Sequence, residues 1–91
     1  MDQDIKTSIY HALTINDLDT LKKYIQTASN PDKKYPAWLC LPLDRDLAPE
    51  IFWSTPPLIS IATFYGSMSC IHFLLNNGAE LSDTDDSGIF Y

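Results

Sequence analysis

The chain has 91 residues, enough for one small domain that leaves much of its surface exposed when folded. Hydrophobic residues make up 45% and charged residues 20%, a globular composition and not that of a disordered tail. Twelve acidic against six basic residues leave a net charge of -6, which repels phosphate backbones and anionic membrane surfaces and sets nucleic acid aside as a partner.

The opening MDQDIKTSIY has neither a basic n-region nor an apolar core, and no stretch approaches the ~20 apolar residues of a membrane span. An intracellular chain without a membrane segment is therefore expected. Ile5, Ile9, Ala12 and Leu13 make one apolar stripe at helical spacing, predicting a helix over 4–15. After Asn16-Asp17 the stripe resumes at Leu18, Leu21, Tyr24, Ile25 and Ala28, predicting a second helix over 18–28. The short turn between them requires antiparallel packing.

Residues 29–55 carry prolines at 31, 36, 42 and 49 together with Trp38 and Trp53. Those prolines forbid a long regular helix, so the segment reads as a long structured loop. Pro56 and Pro57 can open the next helix, predicted over 57–65, because the first turn has no N–H bond for proline to lose. Gly66 permits a tight turn. A last helix over 68–76 places Ile71 and Leu74 in the core and Cys70 on an apolar face, and Gly78 closes it in the left-handed conformation that glycine adopts most cheaply.

Shifting the chain against itself by 50 residues aligns Ile9 with Ile59, Ala12 with Ala62, Leu18 with Met68, Leu21 with Ile71, Tyr24 with Leu74 and Ile25 with Leu75. The unit that repeats is a helical hairpin. Within the second copy, GSMSCIHFLLNNGAELSDTDDSG resembles the second helix and following turn of an ankyrin repeat. Gly66, Ile71, Leu74, Leu75, Gly78, Ala79, Asp85 and Gly88 stand at that family's places. TPPLISIA is similar to the family's T-P-L-H-x-A opening, with Thr55-Pro56 out of register by two residues. Residues 5–28 resemble a degenerate capping repeat in which Asn16 replaces the turn glycine. Ankyrin units recur at about 33 residues, so the 50-residue offset leaves roughly 17 extra residues between the hairpins.

The resemblance implies an all-α fold of stacked hairpins in one domain or fragment. It divides into a capping hairpin at 5–28, an insertion loop at 29–55, a second hairpin at 56–78 and the start of a further repeat at 79–91. A further repeat, another copy of the chain or a partner is expected to cover the outward face of the second hairpin.

Asp83, Asp85, Ser87 and Gly88 also fit the first, third, fifth and sixth places of a calcium loop, but the bidentate Glu such a loop needs at its twelfth place would lie beyond Tyr91. His11, Cys40, Cys70 and His72 stand singly and lack zinc-ligand spacing. No nucleophile elbow, phosphate loop or zinc-protease motif occurs. Cys70 and His72, two apart on one helix, face different ways and cannot pair as nucleophile and base. No cofactor and no catalysis are expected.

What remains is protein binding. Ankyrin proteins bind through loop tips and the inner-helix surface, which implies Trp53, Ser54 and Pro56 at the loop tip and Phe64 and Tyr65 on the inner helix. Trp38 joins them as an exposed anchor, since Trp and Tyr are enriched where binding energy concentrates. The competing use of these aromatics, including Phe52, is to cover the gap between the hairpins as added core. Two other functions stay open at this point: weak calcium binding by residues 83–88, and inhibition of a basic protein by the acidic surface.

Overall fold

A computed structural model describes residues 3–43 and 55–80. Among them are four helices, α1 (Gln3–Ile15), α2 (Leu18–Lys22), α3 (Leu58–Phe64) and α4 (Met68–Asn76), and no strand beyond two isolated bridges. The fold of the described residues is all-α.

Both hairpins turn in the same way. Asn16 takes φ +59 and Gly66 φ +68, the left-handed conformation that asparagine and glycine tolerate best. The next N–H then reaches back to the end of the preceding helix. Asp17 donates to the Ala12 carbonyl at 2.9 Å, and Ser67, fifty residues on, donates to the Ala62 carbonyl at 2.9 Å. These bonds satisfy carbonyls that a helix end leaves without partners.

α1 packs on α2 and α3 on α4, and the hairpins lie side by side with α1 against α3 and α2 against α4. Ile9, Ala12 and Leu13 of α1 and Ile59, Ile61 and Ala62 of α3 are buried between them with Leu21, Cys70 and Leu74. Burying a side chain such as Leu74 contributes ~1.5–3 kcal/mol. Ile71, expected in the core, is only half-buried and packs at its edge.

The second helix is much shorter than 18–28. It starts well, with the Asp17 carboxylate accepting from the Thr20 N–H at 3.2 Å and the Thr20 hydroxyl at 2.6 Å, as an N-cap should. Lys23 and Tyr24 then donate back over a tighter turn to Thr20 and Leu21. There the chain leaves the helix, because Tyr35 offers its backbone instead: Gln26 donates to the Tyr35 carbonyl at 2.7 Å and Tyr35 to the Tyr24 carbonyl at 3.2 Å. β-branched Ile25 gains an extended conformation and complete burial.

Alternate residues of the loop from Tyr35 onward join the core. Tyr35, Ala37, Leu41 and Leu43 are buried. Leu41 donates to the Pro56 carbonyl at 2.8 Å, and Leu58 donates to the Leu39 carbonyl at 3.0 Å. This last bond satisfies one of the N–H groups at the start of α3, where Pro57 is the N-cap and its ring has no hydrogen-bonding atom to offer. Pro57 thus precedes the helix it was expected to begin. The hairpin turns lie at one end of the molecule, and residues 35–43 close the other.

Candidate functional site

The seam between the hairpins is polar at its turn end. Ser67, nearly completely buried, does not cap its own helix: its hydroxyl donates to the Leu13 carbonyl in the first hairpin. Asn16 supplies the missing cap from across the seam. Its Oδ1 accepts from the Ser69 N–H at 3.0 Å and the Cys70 N–H at 3.2 Å, and its Nδ2 reaches the Ser69 Oγ at 3.5 Å. The Cys70 thiol lies 3.9 Å from the Ala12 carbonyl; burial, and then the Asp17 charge, push its pKa up to about 11. A protonated, enclosed thiol is a packing group and not a nucleophile.

Farther along the seam, the Tyr10 and Tyr65 hydroxyls are hydrogen-bonded at 2.5 Å with the rings edge to face at 6.1 Å. Burial and the Tyr65 hydroxyl hold the Tyr10 phenol well above its ordinary range. Tyr65 in turn meets Phe64 edge to face, 5.0 Å between centroids.

Around these turns three large apolar side chains stand exposed among polar neighbours such as Asn16, Thr63 and Ser69. Ile15 is 56% exposed, Phe64 54% and Met68 57%, and all three flank the turns that Asn16 and Ser67 tie together. Trp38, 56% exposed, lies at the opposite end, where its ring packs against one side of Gly78. A Cβ on Gly78 would come within 3.0 Å of that ring.

Of the residues expected to bind a partner, Phe64 and Trp38 are therefore presented at the surface, on opposite ends of the molecule. Tyr65 is half-buried, with its hydroxyl committed to Tyr10. Pro56 is no loop tip: it is fully buried, because residues 39–41 pair with 56–58. Trp53, Ser54 and Phe52 lie outside the described residues, as do Asp83, Asp85, Ser87 and Gly88 of the calcium-like stretch.

Ile15, Met68 and Leu75 are exposed apolar residues for which the sequence reading sets no surface expectation. Ile15 falls off the stripe formed by Ile9, Ala12 and Leu13, a signal that could have marked it as outward. Met68 aligns with Leu18 in the repeat, and in the structure it opens α4 and is exposed.

Among the described residues no group of three or more His, Cys, Asp or Glu side chains could hold a metal ion, and no helix is long and apolar enough to cross a membrane. Comparison with protein-family models, with curated proteins and with solved structures gives no match.

Proposed function

We propose that the chain is a non-catalytic protein-interaction module of the ankyrin-repeat type, working inside the cell, with Phe64 and the neighbouring apolar side chains at the hairpin turns as its contact surface. The observation that carries this reading is the exposure of Ile15, Phe64 and Met68 around a turn end tied by hydrogen bonds between the two hairpins. Apolar side chains held on a rigid frame lose little further freedom when a partner covers them. The ankyrin-like stacking is supported by the equivalent left-handed turns at Asn16 and Gly66 and by the pairing of α1 with α3 and α2 with α4. Trp38 forms a second contact point in this account. The partner is a protein, and the surplus of acidic residues argues against nucleic acid and anionic membranes.

The test is affinity capture from native cells with the wild-type chain, Phe64→Ser and Trp38→Ser, each first shown to melt like wild type. A partner retained by wild type and lost by Phe64→Ser supports the turn-end surface. An identical set of captured proteins for all three would overturn it.

A further inference from the structure

The end of α4 carries chemistry that the interaction reading does not use. Gly78 holds φ +111, and the N–H groups on either side of it, Asn77 at 3.1 Å and Ala79 at 3.0 Å, both donate to the Leu74 carbonyl. A complete cap of this kind would add a bond from the Gly78 N–H to the Leu75 carbonyl. That bond is not made, and Gly78 is exposed. Beside this backbone amide stands the side-chain amide of Asn77, whose Nδ2 donates to the Phe73 carbonyl at 2.7 Å. Glycine presents no side chain to hinder its nitrogen from approaching the preceding side-chain carbonyl.

We propose that Asn77 is a deamidation site governed by the α4 cap. The Gly78 backbone nitrogen, giving up its proton to solvent hydroxide, attacks Asn77 Cγ. The new C–N bond closes a five-membered succinimide, the Cγ–Nδ2 bond breaks, and the amide leaves as ammonia. Water then opens the ring at either carbonyl, leaving aspartate or isoaspartate. Solvent is the only co-reactant. In the closed cap Asn77 has ψ +20 and its amide is held by Phe73, so ring closure has to await rotation of the peptide as the helix end frays.

The product cannot restore the cap. A carboxylate has no N–H for the Phe73 carbonyl and sets a negative charge at the negative end of the helix dipole. Isoaspartate also inserts a methylene into the backbone just before Gly78, which the Trp38 ring approaches closely enough that an added Cβ would meet it at 3.0 Å. Deamidation therefore releases Trp38, converting one exposed face of the molecule irreversibly.

The chain carries its own controls. Asn16 precedes Asp17, Asn76 precedes Asn77, and Asn30 precedes Pro31, which has no N–H to lose. The test is timed incubation of the intact chain in warm, neutral buffer, native and in denaturant, followed by fragment mass spectrometry that separates aspartate from isoaspartate. The expected result is conversion at Asn77 ahead of the other three, at least tenfold slower in the native chain than in denaturant, which corresponds to about 1.4 kcal/mol of cap-opening free energy. Trp38→Ala, which removes the ring packed against Gly78 and so loosens the cap, is expected to speed native conversion several-fold. Asn77 remaining intact when the denatured sample has converted, conversion of Asn16 or Asn76 at the same rate, or a native rate indifferent to Trp38→Ala would overturn the proposal.

Discussion

Asn16 in the turn of the first hairpin caps α4 of the second, its Oδ1 lying 3.0 Å from the Ser69 nitrogen. One side chain thus serves two positions fifty residues apart: its backbone accepts φ +59, and its carbonyl oxygen takes two N–H groups that α4 would otherwise leave unpaired. The two roles separate by mutation. Asn16→Gly keeps the turn and removes the cap, and should cost about 1 kcal/mol. Asn16→Ala loses both and should cost about 1–2 kcal/mol more, the penalty of a left-handed alanine. Urea unfolding checks both; equal midpoints for wild type and Asn16→Gly would show that the cross-hairpin cap contributes nothing.

Burial ranks the two core candidates of α4. Leu74 is fully enclosed and Ile71 only half so, and large-to-alanine changes at enclosed sites cost ~2–5 kcal/mol. Leu74→Ala should therefore unfold the chain or lower its urea midpoint far more than Ile71→Ala. Equal effects would mean that Ile71 is covered in solution by something beyond the described residues.

The Tyr35 hydroxyl is buried and finds no hydrogen-bond partner among the described residues, while Lys34 Nζ sits 5.6 Å from the ring centroid. An unsatisfied buried hydroxyl costs ~1–3 kcal/mol, so Tyr35→Phe should leave stability unchanged or raise it by about 1 kcal/mol in thermal melts. A clear loss would reveal a partner for that hydroxyl in the remaining part of the chain.

Stability should fall at both ends of the pH scale, for different groups. Cys70 has its pKa raised to about 11 by burial, so its contribution is complete below the ordinary thiol value of ~8.5 and is lost as pH climbs towards the folded value; Tyr10, also raised, adds to the alkaline loss at higher pH. Asp17 is lowered, first by the Thr20 hydroxyl and then by the Thr20 N–H. Its contribution is present above the ordinary carboxylate value of ~3.9 and fades as pH drops below that. Melting temperature against pH checks the signs, and Cys70→Ala should flatten the alkaline limb. An unaltered limb in that variant would assign the loss to Tyr10 or elsewhere.

What could be read in advance was whatever is local. The apolar stripes located α1, α3 and α4 to within about two residues, a margin usual for such boundaries. The match of Asn16 with Gly66 marked both hairpin turns, and the structure adds that both take the left-handed conformation these residues tolerate. The misses in the fold come from contacts across the chain. Nothing near Ile25 says that Tyr35 will pair with it and end α2 early. Nothing near Pro56 says that Leu41 will donate to its carbonyl and bury it. The side chain of Asn16 resembled a poor substitute for glycine, and only the approach of α4 gives it a second purpose. At the surface, Phe64 was reachable only through the ankyrin resemblance and Trp38 through its aromatic chemistry, while the alignment of Met68 with Leu18 gives no sign that Met68 is exposed.

The central claim is that Phe64, exposed on a pinned turn, carries binding energy and not folding energy. The direct measurement is titration calorimetry of a captured partner against wild type and Phe64→Ala. The account predicts a loss of ~2 kcal/mol or more in binding, the scale of an interface hot spot, with the melting temperature unchanged. Equal affinity for the two chains, or a Phe64→Ala chain that binds poorly only because it is unfolded, would contradict it.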